Sequence, residues 1–439
     1  RGGLGALLGH GADQKRNCSA WTEYGWPQNV TYDNLYWLYR REGIAFGAVE
    51  KLLGRCWSDS PEVIEGEKKE NSKSKTAWES SVTPTLSAAW VWSGFADTDR
   101  RRLVGRWAGL ILHIADGTTN NPSKWDEPVR QGSTEYRLDK VTPVWANALQ
   151  VTEWDSDENS PTYGEPKMWQ YTESPGMEGA PSVIRRIHPD RIFLLGDYKG
   201  NPIGFLEPVY NAFVSLEKVA GGSGESFLKN AARQISINYD KSIDFAALAK
   251  QYGVKPEELH QRVQQAARDL NSANDMVLVT QGANSITPLV SAVADPEPTF
   301  NVNLQTVSAG VDIPSKILVG NQTGERASTE DDAYMNKRCQ GRRDRFLAPE
   351  VLDFVRHLIR VRVLPATQKM LTVMWGDLTL PTKTERLANA KTMSEINAQS
   401  LGGEGETFSR DEIREAAGYE NTEPTEPLAE EDDEDGDEA

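Results

Sequence analysis

The chain has 439 residues and a formal net charge of −17, and eight of its acidic residues fall in the run Glu430–Glu438. That length allows about two or three units with cores of their own, while the charge excludes a protein that grips phosphates through a net basic surface. No apolar run approaches a membrane span, and the three cysteines, Cys18, Cys56 and Cys339, form no C-x-x-C pair, which argues against a zinc site or a disulfide framework and fits a reducing compartment.

Residues 1–19 are Gly-rich at their start and read as a flexible arm. Between Thr31 and Gly54 the residues Leu38, Ala45, Ala48, Val49, Leu52 and Leu53 recur at helical spacing, with Thr31 or Asp33 as cap and Gly54 as stop. A charged stretch from Glu65 to Thr76 predicts a loop, followed by a helix over Pro84–Ala96 and a strand over Val104–Ala115. After a polar loop at 117–135, short strands fill Lys140–Leu195, clearest at Val183–Ile187 and Ile192–Leu195. A helix over Gly204–Val219 stops at Gly221-Gly222, and a strand covers Gln234–Tyr239. A helical hairpin follows, with Gly253 as the first stop and Pro256 in the first turn of the second helix, and then a strand over Met276–Thr280. Thr299–Val311 reads as a helix, and Gly320–Ala327 as a polar connection. Ser328–Asp331 resembles a capping box opening a long helix that runs to about Val363. Thr384–Ser400 and Ser409–Ala417 are further helices, and the acidic, apolar-poor residues 421–439 read as disordered. Without an alternating βαβ series, the class is α+β.

No residue pattern carries catalysis. The phosphate-binding string G-x-x-x-x-G-K-[ST] is absent; Gly320–Gly324 precedes a helix but lacks the lysine, and Glu325 would repel phosphate. Gly221–Gly224 is followed by Glu225, so it is not a nucleophile elbow. The five histidines are dispersed, with no H-E-x-x-H or H-x-[ST], and His188-Pro-Asp190 lies between strands, where it reads as a turn. No cofactor and no metal ligand set is expected. The basic stretch Lys337–Arg345 places Arg338, Arg342 and Arg345 on one helix face. They read either as a solvated face or intersubunit ion pairs, or as phosphate contacts inside a channel. Trp37, Trp57, Trp78, Trp90, Trp92 and Trp107 do not alternate with Lys or Arg, so core packing or interface anchoring explains them better than base stacking.

The order of segments adds a resemblance. Ile187–Leu195 (IHPDRIFLL), the turn Gly200–Gly204 and the next helix resemble the strand, turn and helix of tailed-bacteriophage portal proteins. Val311–Gly320 (VDIPSKILVG) followed by Ala327–Asp332 (ASTEDD) is similar to that family's "IP-x-x-x-L-x-G … ST-x-E-x-D", in particular to a branch long known only as a phage domain of unknown function. Thr384–Ala388 (TERLA) with Arg410–Gly418 (RDEIREAAG) fits as well, so the match spans roughly residues 30–420. The family's aromatic and Gln positions in the long helix are partly replaced by the Arg-rich stretch, and no contact is carried over there. Some members of the branch carry a fused two-histidine phosphodiesterase, which the missing H-x-[ST] motifs argue against here.

The resemblance implies a portal fold assembled as a ring, usually of twelve. A wing at 20–202 leads to stem helix 1 at 203–230, a clip at 231–297 and stem helix 2 at 298–315. A tunnel loop at 316–327, a long wing or tunnel helix at 328–365 and a crown at 366–420 follow. It implies DNA-channel residues Lys316, Asn321, Gln322, Thr323 and Arg326, and a clip docking region with Tyr239, Lys241, Lys255, Glu258 and Arg262. Implied partners are the large terminase, then a head–tail adaptor, a major capsid or scaffold protein, and double-stranded DNA passing non-specifically, with no membrane and no catalysis. The location would be the capsid portal vertex of the virion, reached from the host cytoplasm during assembly. Two other readings stay open: a smaller connector or adaptor, against which the chain length counts, and a phage nucleic-acid-processing enzyme, against which the missing motifs count.

Overall fold

The computed structural model describes residues 21, 24–66, 75–116, 124–130, 136–173, 181–231, 235–239, 244–251, 253–255, 257–259, 261–262, 265, 283–288, 295–320, 325–381, 383–400 and 407–419. They form two units, one within residues 1–376 and one within 377–439. The observed class is α+β, with antiparallel sheets only.

The first unit opens with α1 (Tyr32–Arg41) and α2 (Gly43–Cys56). Thr31 caps α1 through a reciprocal box with Asn34, as its position suggests. Gly54 does not stop α2, which runs on to Cys56 with Leu52, Leu53 and Cys56 buried. Strand β1 (Glu62–Glu65), helices α3 (Ala77–Leu86) and α4 (Ala89–Gly105) and strand β2 (Ala108–Asp116) follow. The single helix expected over Pro84–Ala96 is therefore two. Thr76 and Glu79 make a capping box that starts α3 early, and Pro84 sits in its last turns. Helix α4 carries on through Asp97–Arg102 and past Val104, where the strand was expected to begin, because Arg100 and Arg101 both pair with Asp97 while Val91, Trp92, Phe95, Leu103 and Val104 line the buried side.

Strands β3 (Tyr136–Trp145), β4 (Leu149–Trp154), β5 (Pro166–Glu173), β6 (Val183–Ile187) and β7 (Ile192–Leu195) complete two three-stranded sheets, ordered β3-β2-β7 and β4-β5-β6. Strand β2 is buried on both faces: Leu110, Leu112 and Ile114 join one core, while Ile111 joins a second with Trp169, Ile187 and Ile192. That double burial is why its sequence is a continuous apolar run rather than an alternating one. Trp78 and Trp92 lie in the first core and Trp57 and Trp107 pack against cores, whereas Trp37 (53 %) and Trp90 (39 %) are exposed.

Helix α5 (Tyr210–Ala231) leads to β8 (Ile235–Tyr239), α6 (Phe245–Gln251), β9 (Ala283–Pro288) and α7 (Glu297–Val311). Gly221-Gly222 does not end α5; neither glycine takes the left-handed conformation that a helix stop uses. The strand expected at Met276–Thr280 lies outside the described residues, and the partner of β8 is β9. Then come α8 (Ser315–Val319), α9 (Glu325–Arg342), a π-turn at Arg343–Leu347, α10 (Ala348–Arg360) and β10 (Leu371–Met374), which pairs with β1. Ser328 and Thr329 do not cap the long helix, which opens upstream at Glu325. Its π-turn has a local cause. Pro349 has no N–H to donate and its ring crowds the preceding turn, so the helix widens there. Helix α10 ends at Arg360, just before the positive φ of 65° at Arg362.

The second unit is a helical pair, α11 (Lys383–Ser400) and α12 (Arg410–Ala416). Asn397 accepts the Phe408 N–H and donates to its carbonyl, tying α11 to the residue before the α12 cap, and Ser409 with Glu412 caps α12.

Candidate functional site

Two helices leave the body side by side. On α5 the buried residues are Ala212, Phe213 and Leu216; on α7 they are Leu304, Val307 and Val311. The described side chains of α5 beyond Leu216, and those of α7 before Leu304, are not buried, with Phe227 (70 %) and Val302 (64 %) well exposed. The β8–β9 ribbon therefore stands at the far end of two projecting helices that run in opposite directions. Their base is tight: a methyl on Gly310 would lie 2.1 Å from Val209 Cγ1, so only glycine fits there.

At the body end of α7 the chain turns sharply. Asp312 takes a left-handed conformation (φ 55°), which Asp tolerates better than most residues. Its carboxylate accepts from Tyr334 Oη (2.5 Å) and Arg338 Nε (2.7 Å), and Arg338 also donates to the Val311 carbonyl (2.7 Å). Ser308, Asp312, Glu330, Asp331 and Tyr334 line an open groove of about 420 Å³. Short helix α8 follows and ends on Gly320, whose φ of 77° is the left-handed stop. Residues 321–324 then lead into α9.

Two of the three arginines expected to form a cationic face have partners inside the chain. Arg342 donates to both oxygens of the fully buried Asp99 (2.9 and 2.5 Å), which also accepts Trp57 Nε1–H (2.9 Å). Arg338 is held by Asp312, and Arg345 is exposed. Arg343, absent from that expected face, is fully buried; it donates to the Cys56 and Gly376 carbonyls and pairs with Asp59. Of the other expected site residues, Lys316 is half-buried in α8 and its carbonyl accepts the Gly320 N–H. Asn321, Gln322 and Thr323 lie outside the described residues, as does the side chain of Arg326 in the first turn of α9. In the ribbon region, Tyr239 sits in β8 opposite Ala283, its side chain outside the described residues. Lys255, Glu258 and Arg262 are exposed, and Lys241 falls outside the described residues.

Residues without any motif hold α8 and α9: Lys51 and Arg55 on α2, Asp99 on α4 and Asp312. Only Asp312, directly before Ile313-Pro314, carried a turn signal. Cys56 and Cys339 meet where α2 crosses α9, both fully buried. Hydrogen bonding to Cys339 and the nearby Arg342 lower the Cys56 thiol to about 7, and the same contact raises Cys339. Among the described residues no cluster of His, Cys, Asp and Glu could hold a metal ion, and no helix is long and apolar enough to cross a membrane.

A family model described as phage portal protein matches residues 38–398, and the chain belongs to that family. Among solved structures, the chain is similar to one in the neck of a native gene transfer agent (GTA) particle computed with C12 symmetry, with 13% identity over 89% of this chain and 94% of that one and a TM-score of 0.44. A chain in the virion of the native GTA particle shows 14% identity over 90% and 95%, with a TM-score of 0.45. No curated protein matches. The family match makes the protein a phage portal protein, a member of a family of structural proteins.

Proposed function

We propose that copies of this chain form a ring, of twelve subunits, around the channel through which DNA enters and leaves the capsid at one vertex. The supporting observation is the pair of helices α5 and α7 that project from the body and carry the β8–β9 ribbon between them, in a chain whose family match spans 38–398. On this reading residues 20–202 are the wing, 203–230 and 298–315 the stem, and 231–297 the clip. The clip docks the large terminase during packaging and a head–tail adaptor afterwards; Lys255, Glu258 and Arg262 are its described, exposed candidates. Residues 316–327 are the tunnel loop, 328–365 the helix behind it and 366–420 the crown. Subunits assemble in the host cytoplasm with a major capsid or scaffold protein.

The channel is a mostly repulsive tube. Asp312, Glu330 and Asp331 put acid beside the α8–α9 connection, and Arg338 and Arg342 are spent on carboxylates of their own chain. That arrangement lowers friction on the phosphate backbone and leaves only weak, salt-sensitive contacts. Negative-stain images of the purified protein should show rings with a central hole. A uniformly monomeric protein that hydrolyses ATP or a cyclic nucleotide would overturn the reading.

A further inference from the structure

Helices α8 and α9 are both held by a third helix, α2, which grips the last turn of α8 and the middle of α9. On α2, Gly47, Lys51 and Arg55 stand at i, i+4 and i+8, one stripe of a helix with about 3.6 residues per turn. Another face of α2 is committed to the core through Ala45, Ala48, Val49, Leu52, Leu53 and Cys56. Gly47 lies against α8, where a methyl would come 3.9 Å from the Leu318 carbonyl oxygen. Lys51 Nζ donates to the carbonyls of Ile317 (2.5 Å) and Leu318 (2.8 Å). These belong to the last turn of α8, where carbonyls have no intrahelical partner and a cation is favoured by the helix dipole. One turn further along α2, Arg55 donates to Asp332 Oδ1 (2.9 Å), the Asp332 carbonyl (3.3 Å) and Asn336 Oδ1 (3.2 Å) on α9.

The far part of the α2–α9 contact has its own anchors. Cys56 Sγ lies 4.0 Å from the Cys339 carbonyl, Arg343 donates to the Cys56 carbonyl, and Arg342 is locked on Asp99. Lys51 and Arg55 therefore act on the last turn of α8 and on the middle of α9. Neither belongs to the main core cluster, and the Arg55 side chain is 32% exposed.

We infer that Lys51 and Arg55 are positioning residues: they set the spacing between the last turn of α8 and the middle of α9, on either side of the α8–α9 connection. The inference rests on the reading of that connection as channel-lining. The test is hydrogen exchange by mass spectrometry on the assembled full chain, with Lys51→Met, Lys51→Arg and Arg55→Met. Losing a charged hydrogen-bond donor should speed amide exchange about tenfold over 316–320 in Lys51→Met and over 329–336 in Arg55→Met. Exchange over 339–360 and the melting midpoint should stay unchanged, and Lys51→Arg should restore slow exchange because guanidinium also serves carbonyls. Unchanged exchange in both Met variants would overturn the inference, as would an equal rise throughout 339–360, which would mark a general loosening. DNA retention in particles built from the same variants is read separately. Faster exchange with full retention supports the positioning role and sinks the channel reading. Lost retention with unchanged exchange does the reverse.

Discussion

Burial favours the uncharged form of two ionisable side chains of α10, with opposite consequences for pH. Glu350 is pushed up to about 7 and His357 down to about 4, each chiefly by desolvation. For Glu350 the folded state keeps a proton that the unfolded chain releases above about 4.5. Its stabilising contribution is thus full in acid and lost as pH rises to 7. His357 is neutral when folded and protonated when unfolded, so its contribution is full above about 6.5 and lost as pH falls through 4. Glu350→Gln should therefore raise stability at pH 8 by on the order of 2 kcal/mol, allowing for partial exposure, with little change at pH 4. Melting curves at the two pH values check it, and an equal gain at both would refute the assignment. Removing the carboxylate in Asp99→Ala should cost about 3–5 kcal/mol, because Arg342 is left buried without its counter-ion; Asp99→Ala together with Arg342→Met should recover much of that loss. None of these residues was legible beforehand. Arg342 read as part of a cationic face because its partner is remote in sequence, and a helical wheel reports spacing along one helix but not what packs against it.

Element boundaries followed the local chemistry where caps were strong and departed from it where packing took over. Thr31, Thr76 and Ser409 all make reciprocal capping boxes, although the one at Thr76 was passed over for the proline eight residues later. Gly221-Gly222 looked like a stop, but glycine in a helix interior costs only about 1 kcal/mol each and ends nothing unless it turns left-handed. At the base of the projecting helices, Gly310→Ala should destabilise by about 1–3 kcal/mol through collision with Val209. Adding Val209→Ala should relieve it, which a double-mutant cycle on melting midpoints would show; failure of the second change to help would mean that the close approach is not what matters. Deleting 320–327 should leave rings assembled while impairing DNA packaging or retention. Failed assembly after the deletion would assign that connection a structural role instead.

At the scale of the whole molecule, composition already argued against a protein that binds DNA tightly. The net charge of −17 and the Glu430–Glu438 run rule out a basic clamp, and the pairing of Arg338 and Arg342 inside the chain removes two cations that could have formed one. Any residual DNA retention by isolated rings should therefore fall steeply with added salt, and salt-independent binding in a filter or gel assay would contradict that expectation. The order of segments, the α+β class, most helices and the IHPDRI turn between strands were determined by sequence alone, because caps, apolar periodicity and turn residues act over a few neighbours. The His-Pro-Asp turn shows the limit. Its Arg191 is buried on the Ile114 carbonyl and Asp116, and the backbone of Asp190 meets His357 from α10. Which charges cancel one another, and that α2 holds the last turn of α8 and the middle of α9, only the tertiary structure decided. Those pairings join residues as far apart as Lys51 and Leu318, and a long-range contact leaves no period or motif in the chain that makes it.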